Sequence, residues 1–229
     1  LEPNNSNAWQ LLGEISYQNE AFEKALEHVN KSLAINENDF RSKLLLAEIE
    51  SQNGNYETAI KAVLDVLESQ PDLPNANLLY AMILQKAGRF DDASQVARKL
   101  SSLLSKVDGD RLMNHPSLKL VLGLSYYMQE RWESAYSHII FYAKEHSNDE
   151  QSHLLAAHIE VERGRFQSAL QILEQYTGTD RSELFTELKV NVLSNLQAFD
   201  NAYSELKDGI KQYPDSDSLK RTEVKVLLA

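Results

Sequence analysis

The residues that could do chemistry are six histidines, a surplus of carboxylates and eight glycines. The histidines are His28, His115, His138, His146, His153 and His158. A helical metal pair needs two imidazoles on one face, three or four residues apart. His153 and His158 are five apart and miss that face. No His-Glu-x-x-His stretch is present, so the spacing of a zinc protease is missing. Asp108-Gly109-Asp110 is too short for the twelve-residue calcium loop of a helix-loop-helix site. Glu160 and Glu162 fall on different faces of a helix and read as solvated. No Gly-rich phosphate loop is present, because Gly54, Gly88 and Gly164 each sit in a recurring turn. The reading is non-catalytic, with no cofactor and no metal.

Composition narrows the partner. The chain of 229 residues has 23 Lys and Arg against 34 Asp and Glu, a formal net charge of −11. Such a surface repels a phosphate backbone and an anionic lipid face, which argues against nucleic acid and against a polybasic membrane grip. There are no cysteines, which removes disulfides, thiolate nucleophiles and cysteine-based zinc sites. No apolar run approaches the roughly 18 residues of a membrane span, so no direct membrane insertion is expected of this segment. With 42% hydrophobic residues and few Gly and Pro, the chain has the material for a large helical core.

The elements show themselves by repetition. Six segments align: Asn19 to Ala25, Asn53 to Ala59, Ala87 to Ala93, Gln129 to Ala135, Arg163 to Ala169, and Leu196 to Ala202. Each places an aromatic three residues before an alanine. The aromatics are Phe22, Tyr56, Phe90, Trp132, Phe166 and Phe199, at intervals of 34, 34, 42, 34 and 33. A period of 34 is that of a helix-turn-helix repeat. Gly or a short polar residue should end the first helix of each hairpin, helix A. The aromatic should cap the gap between helices A and B. The recurring alanine lets the helices approach closely. Apolar residues return at three- and four-residue spacing, as in Ala25, Val29, Ser32 and Leu33, then Leu45, Leu46 and Ile49. One hairpin cannot bury such a face alone, so stacking must supply the core.

This pattern resembles the tetratricopeptide-repeat family. The first hairpin carries Trp9-x-x-Leu12-Gly13, with Tyr17 one place later than the family pattern. The small residue of helix A returns as Ala47, Ala81, Gly123 and Ala157. Closing prolines stand at Pro71 and Pro214. The resemblance implies an all-α, right-handed solenoid of about six repeats: 6–39, 40–73, 74–115, 116–149, 150–182 and 183–216, with a terminal helix over 217–229. The whole chain, 1–229, reads as one such array. Leu1-Glu2-Pro3-Asn4 reads as the closing turn of a preceding repeat. The last helix, with Leu219, Val224 and Leu227 on its apolar edge, ends on Val226-Leu227-Leu228-Ala229. Both ends suggest a longer array.

One interval, at 42 residues, exceeds the period by eight. The extra residues lie between Leu100 and Pro116. Ser101 to Lys106 is expected to extend a helix B, and Val107-Asp108-Gly109-Asp110 to turn. Leu112, Met113 and His115 then lead into a helix after Pro116. The plain reading is a tolerated loop insertion; the alternative is a recognition protrusion.

The resemblance also implies a non-catalytic scaffold that holds a protein or peptide in a groove lined by the A helices. Registering the repeats puts Tyr17, Leu78, Met82, Leu120, Leu124, Tyr127, Met128, Leu154 and His158 on that groove. Its middle is apolar, suited to an amphipathic helix or an apolar extended segment. Some family members grip chaperone carboxylates with Lys, Asn and Arg. The matching places here hold Gln10, Glu14, Leu44 and Glu48, which disfavours that partner. A regulatory segment of a larger enzyme and a self-associating solenoid are the competing readings; the sequence sets no oligomeric state. Asn75 to Ala81, the long interval, His115-Pro116 and Leu122 to Tyr127 also look like the long bacterial repeat proteins of exopolysaccharide and PEP-CTERM/exosortase loci. That likeness implies a periplasmic or membrane-associated role in export; without it, the cytoplasm is the expected compartment.

Overall fold

A computed structural model describes residues 5–179 and 181–227, apart from the side chains of residues 111, 113 and 224–227. The first four residues and the last two lie outside that description, as do the side chains expected at Met113, Val224, Val226 and Leu227. Among the described residues the secondary structure is helical throughout. The chain divides into two compact units, Leu1–Val107 and Asp108–Ala229.

The first unit holds three hairpins: α1 (Ser6–Gln18) with α2 (Phe22–Ile35), α3 (Phe40–Gln52) with α4 (Tyr56–Ser69), and α5 (Pro74–Lys86) with α6 (Phe90–Leu104). The second holds the short α7 (Gly109–Met113), then α8 (Pro116–Tyr127) with α9 (Trp132–Glu145), α10 (Glu150–Glu162) with α11 (Phe166–Glu174), and α12 (Glu183–Asn195) with α13 (Phe199–Gln212). It ends in α14 (Asp217–Leu227).

Local chemistry sets the ends of the A helices. A helices begin on caps or prolines: Asn5, Asp39, Asp149, Ser182 and Ser216 accept from the backbone two or three residues on, while Pro74 and Pro116 occupy the first helical position. A helices end in one closure repeated six times. A residue just past the helix cap takes positive φ: Glu20, Gly54, Gly88, Gly164 and Gln197 directly after it, and Glu130 one place later. The next N–H then donates five residues back, as from Asn55 to Glu50 O at 2.8 Å and from Arg165 to Glu160 O at 2.8 Å. Three of the six are long polar side chains rather than Gly or a short one. Their side chains are exposed, so only the backbone conformation is strained.

Packing follows chain order within each unit. Each A helix lies on its own B helix, α3, α5, α10 and α12 also lie on the preceding B helix, and A helices pair with the next along, as α1 with α3 and α10 with α12. α8 does not make that close backbone approach to α10. In the first unit Ala25 and Val29 of α2 pack with Leu45 and Ile49 of α3. In the second, Ala135, Ile139, Ala156, Ile159, Leu173, Phe185 and Val192 form the main core. A smaller cluster of Val190, Leu206 and Leu219 holds α14 against α12 and α13. Gly123 is required by a close approach: a Cβ there would lie 2.7 Å from Ile139 Cγ1 and 3.2 Å from its backbone nitrogen.

Three expectations are corrected. α6 stops at Leu104, and Gly109 and Asp110 are not a turn but the start of α7, because Asp108 accepts from Asp110 N at 2.8 Å and caps it. The repeat aromatic does not always cap its hairpin. Phe22 and Trp132 pair edge-on with Tyr17 and Tyr127 at 5.6 and 5.4 Å between centroids; Gln85 stands at that register before Phe90, offers no ring, and Phe90 is 63% exposed. Glu160 is not solvated. It is 1% exposed and bonded to Arg163, which also reaches Glu133 and lies over the Tyr136 ring.

Candidate functional site

The A helices of the second unit enclose a cleft of about 550 Å³. α8 contributes Tyr127. α10 contributes Gln151, Leu154, Leu155 and His158, and α12 contributes Leu184, Glu187, Leu188 and Asn191. The spacing explains the convergence: Leu154 and His158, and Leu184, Leu188 and Asn191, recur at three and four residues and so share a helix face. Leu154, Leu155 and Leu188 are half-buried against the core, whereas Leu184 is 65% exposed at the rim.

Tyr127 spans the wide α8–α10 gap. Its hydroxyl lies 3.2 Å from His158 Nδ1, and His158 Nε2 lies 3.7 Å from Glu162 Oε1. Burial, and then the Glu162 charge, push the Tyr127 hydroxyl above its usual pKa. It therefore serves as a neutral hydrogen-bonding group and fixes the His158 ring. Opposite, Glu187 Oε1 is buried without a hydrogen-bond partner. The walls are thus four leucines and one tyrosine, with amides at the mouth and one carboxylate inside.

A second, smaller cleft of about 370 Å³ lies in the first unit, between α1 and α3. Glu14, Tyr17 and Gln18 face Arg41, Leu44, Leu45 and Glu48 across it. Burial, and then the neighbouring Glu14, raise the Glu48 carboxyl above the ordinary range. Burial likewise raises the Tyr17 hydroxyl, against a hydrogen bond from Gln52. Two carboxylates against the single guanidinium of Arg41 give this lining an acidic balance, which disfavours a ligand carboxylate.

Of the sequence-derived groove residues, the structure gathers Tyr127, Leu154 and His158 at the larger cleft and places Tyr17 at the smaller one. Leu120 packs half-buried against the second unit's core, Leu124 is half-buried on α8, and Met128 is the cap that ends α8. Leu78 is half-buried and Met82 is 43% exposed on α5 of the first unit. The cleft also uses Leu155 and Leu188, one register step from the groove positions. Leu45 and Val121, at the same step, are buried, so periodicity alone marks such positions as core. Leu184, Glu187 and Asn191 were legible at groove register. No group of three or more metal-ligating side chains occurs among the described residues, and no described helix is long and apolar enough to cross a membrane.

The hairpin geometry has clear counterparts. Residues 50–105 match the family model of the tetratricopeptide repeat. No curated protein matches the chain. A solved tetratricopeptide repeat protein from Parabacteroides merdae superposes with a TM-score of 0.66 at 14% identity, covering 99% of this chain and 86% of that one. PilF of Pseudomonas aeruginosa gives 0.65 at 17% identity over 96% of this chain and 97% of its own. The APC/C hetero-tetramer Cut9–Hcn1 gives 0.80 at 14% identity, over 99% of this chain and 44% of that chain. At these identities the likeness is one of fold. Residues 50–105 thus match the tetratricopeptide repeat by family model, and the helical hairpins that recur through both units share the fold of these repeat proteins.

Proposed function

We propose that the protein is a non-catalytic interaction scaffold, and that the cleft between α8, α10 and α12 receives an apolar segment of a partner protein. The observation that carries this reading is the aliphatic wall of Leu154, Leu155, Leu184 and Leu188, open to solvent and wide enough for a side chain or two. An aliphatic rim residue that is 65% exposed gains free energy when a partner covers it. The Tyr127–His158–Glu162 chain holds the opposite wall in one arrangement, which lowers the entropic cost of binding. A chaperone-tail adaptor does not fit, since Glu14 and Glu48 occupy the place of the cationic clamp.

Leu184 is the cleanest probe, because it is 65% exposed and stands outside the core clusters formed by the described residues. Peptides selected from a random 15-residue display library on the intact chain should bind with Leu184→Ser weakened by about tenfold or more, the value of one buried leucine side chain. The exposed Leu64 on α4 is the control, and Leu64→Ser should leave binding unchanged. Peptides that ignore Leu184→Ser would sink the reading. A role in bacterial polysaccharide or protein export rests on the sequence likeness at Asn75 to Ala81 and Leu122 to Tyr127. Fractionation of the source cell tests it: the protein in the periplasmic or membrane fraction supports it, and a purely cytosolic protein contradicts it.

A further inference from the structure

The cleft is lopsided in charge. Its lining has one ionisable acid, Glu187, and no lysine or arginine. A second acid, Glu162, stands behind His158. The cations nearest in sequence are committed elsewhere: Lys189 reaches Glu205 at 2.5 Å, Arg181 reaches the same carboxylate at 3.2 Å, and Arg163 is held by Glu160 and Glu133. Glu187 Oε1 is left buried with no hydrogen-bond partner. A buried acceptor without a donor is costly, and a carboxylate oxygen more so than a neutral one. The leucine walls lower the local dielectric and strengthen its field inside the cleft.

From this we infer that the segment held in the cleft is cationic as well as apolar: an amphipathic stretch whose aliphatic side chain lies against Leu184 and Leu188 while a neighbouring Lys or Arg pairs with Glu187. The inference rests on the proposed docking role of this cleft and specifies the partner's chemistry. An ammonium or guanidinium supplies several donors and no acceptor, the complement of an orphaned carboxylate oxygen. Its own alkyl stem is apolar and adds to the leucine contact. An acidic segment is repelled by Glu187 and Glu162 together. A neutral apolar segment leaves the carboxylate unpaired in a site it has just dried. A metal ion would lack a set of three ligating side chains among the described residues.

The test uses two fluorescein-labelled peptides of 14 residues, both with leucines at helical spacing on one face. One carries lysines on the other face, and its counterpart carries glutamates. Fluorescence anisotropy is read on the intact chain at an ionic strength of about 0.15 M, where remote surface charge is screened. The lysine peptide should bind about tenfold or more tightly than the glutamate peptide. Glu187→Gln should remove most of that preference, while Glu145→Gln, the same charge change on exposed α9, should leave it. Leu184→Ser should weaken the lysine peptide on both backgrounds. If Leu184→Ser weakens binding but the lysine preference is missing, or survives Glu187→Gln, the cleft is a docking site and the charge inference is wrong. If neither peptide binds, or Leu184→Ser changes nothing, the docking role falls and the inference with it.

Discussion

At the scale of single residues, strain and charge sit where the repeat departs from its own rule. Six turns require a left-handed residue, and three are filled by Glu20, Glu130 and Gln197 at φ between 56° and 60°. An L side chain there is disfavoured by about 1 kcal/mol relative to glycine. Glu130→Gly, or Gln197→Gly, should therefore raise unfolding free energy by about 1 kcal/mol in urea melts, with secondary structure unchanged. Glu48 is a second local cost. Its folded pKa is raised, so stability from its protonated form is full below the ordinary carboxylate value and lost as pH rises through the folded value. At pH 7 the ionised group is a liability. Glu48→Gln should raise the melting temperature at pH 7 and leave it nearly unchanged at pH 4. An equal effect at both values would locate the cost in packing rather than in charge.

At the scale of helices, the same register has different fates. Leu11 and Ile15 of α1 stand where Leu45 and Ile49 stand in α3 and Leu79 and Ile83 in α5. Ile49 and Ile83 are fully buried, yet Leu11 and Ile15 are 54% and 53% exposed. In α3 the preceding helix, α2, supplies Ala25 and Val29 to cover that face. Replacing both Leu11 and Ile15 by Lys should change stability by about 0.5 kcal/mol or less, whereas Ile49→Ala should cost about 3 kcal/mol. Denaturant midpoints of the two variants check this, and a large loss in the lysine variant would mean that a neighbour covers α1. Element identity was legible in the sequence because the aromatic-to-alanine spacing, the A-helix caps and the turn residues all obey one period. The start of α7 was not, because a five-residue helix carries too little periodicity, and Asp108-Gly109 reads equally as a turn. Glu160 was misread for a related reason. Helix spacing gives the face on which a carboxylate lies, but not that Arg163 folds back to bury it.

At the scale of the whole molecule, the repeat provides two units of stacked hairpins, and the A helices of each line a cleft of different character. The first unit's is narrower and acidic; the second's is larger and aliphatic. Sequence register found Tyr127, Leu154 and His158 because groove positions recur every 34 residues. It missed Leu155 and Leu188, since the opening beside them depends on how far α8 stands from α10, a distance no periodicity encodes. The same geometry leaves Leu120 in the core, where a charged substitution would test folding and not binding. A partner segment docked in the second unit's cleft must change the surroundings of that cleft's leucines. Methyl NMR of leucine-labelled intact protein, titrated with a display-selected peptide, tests this docking most directly. Shifts should be confined to Leu154, Leu155, Leu184 and Leu188, with Leu44 and Leu64 of the first unit unmoved. Shifts centred on Leu44, or spread evenly over both units, would contradict it.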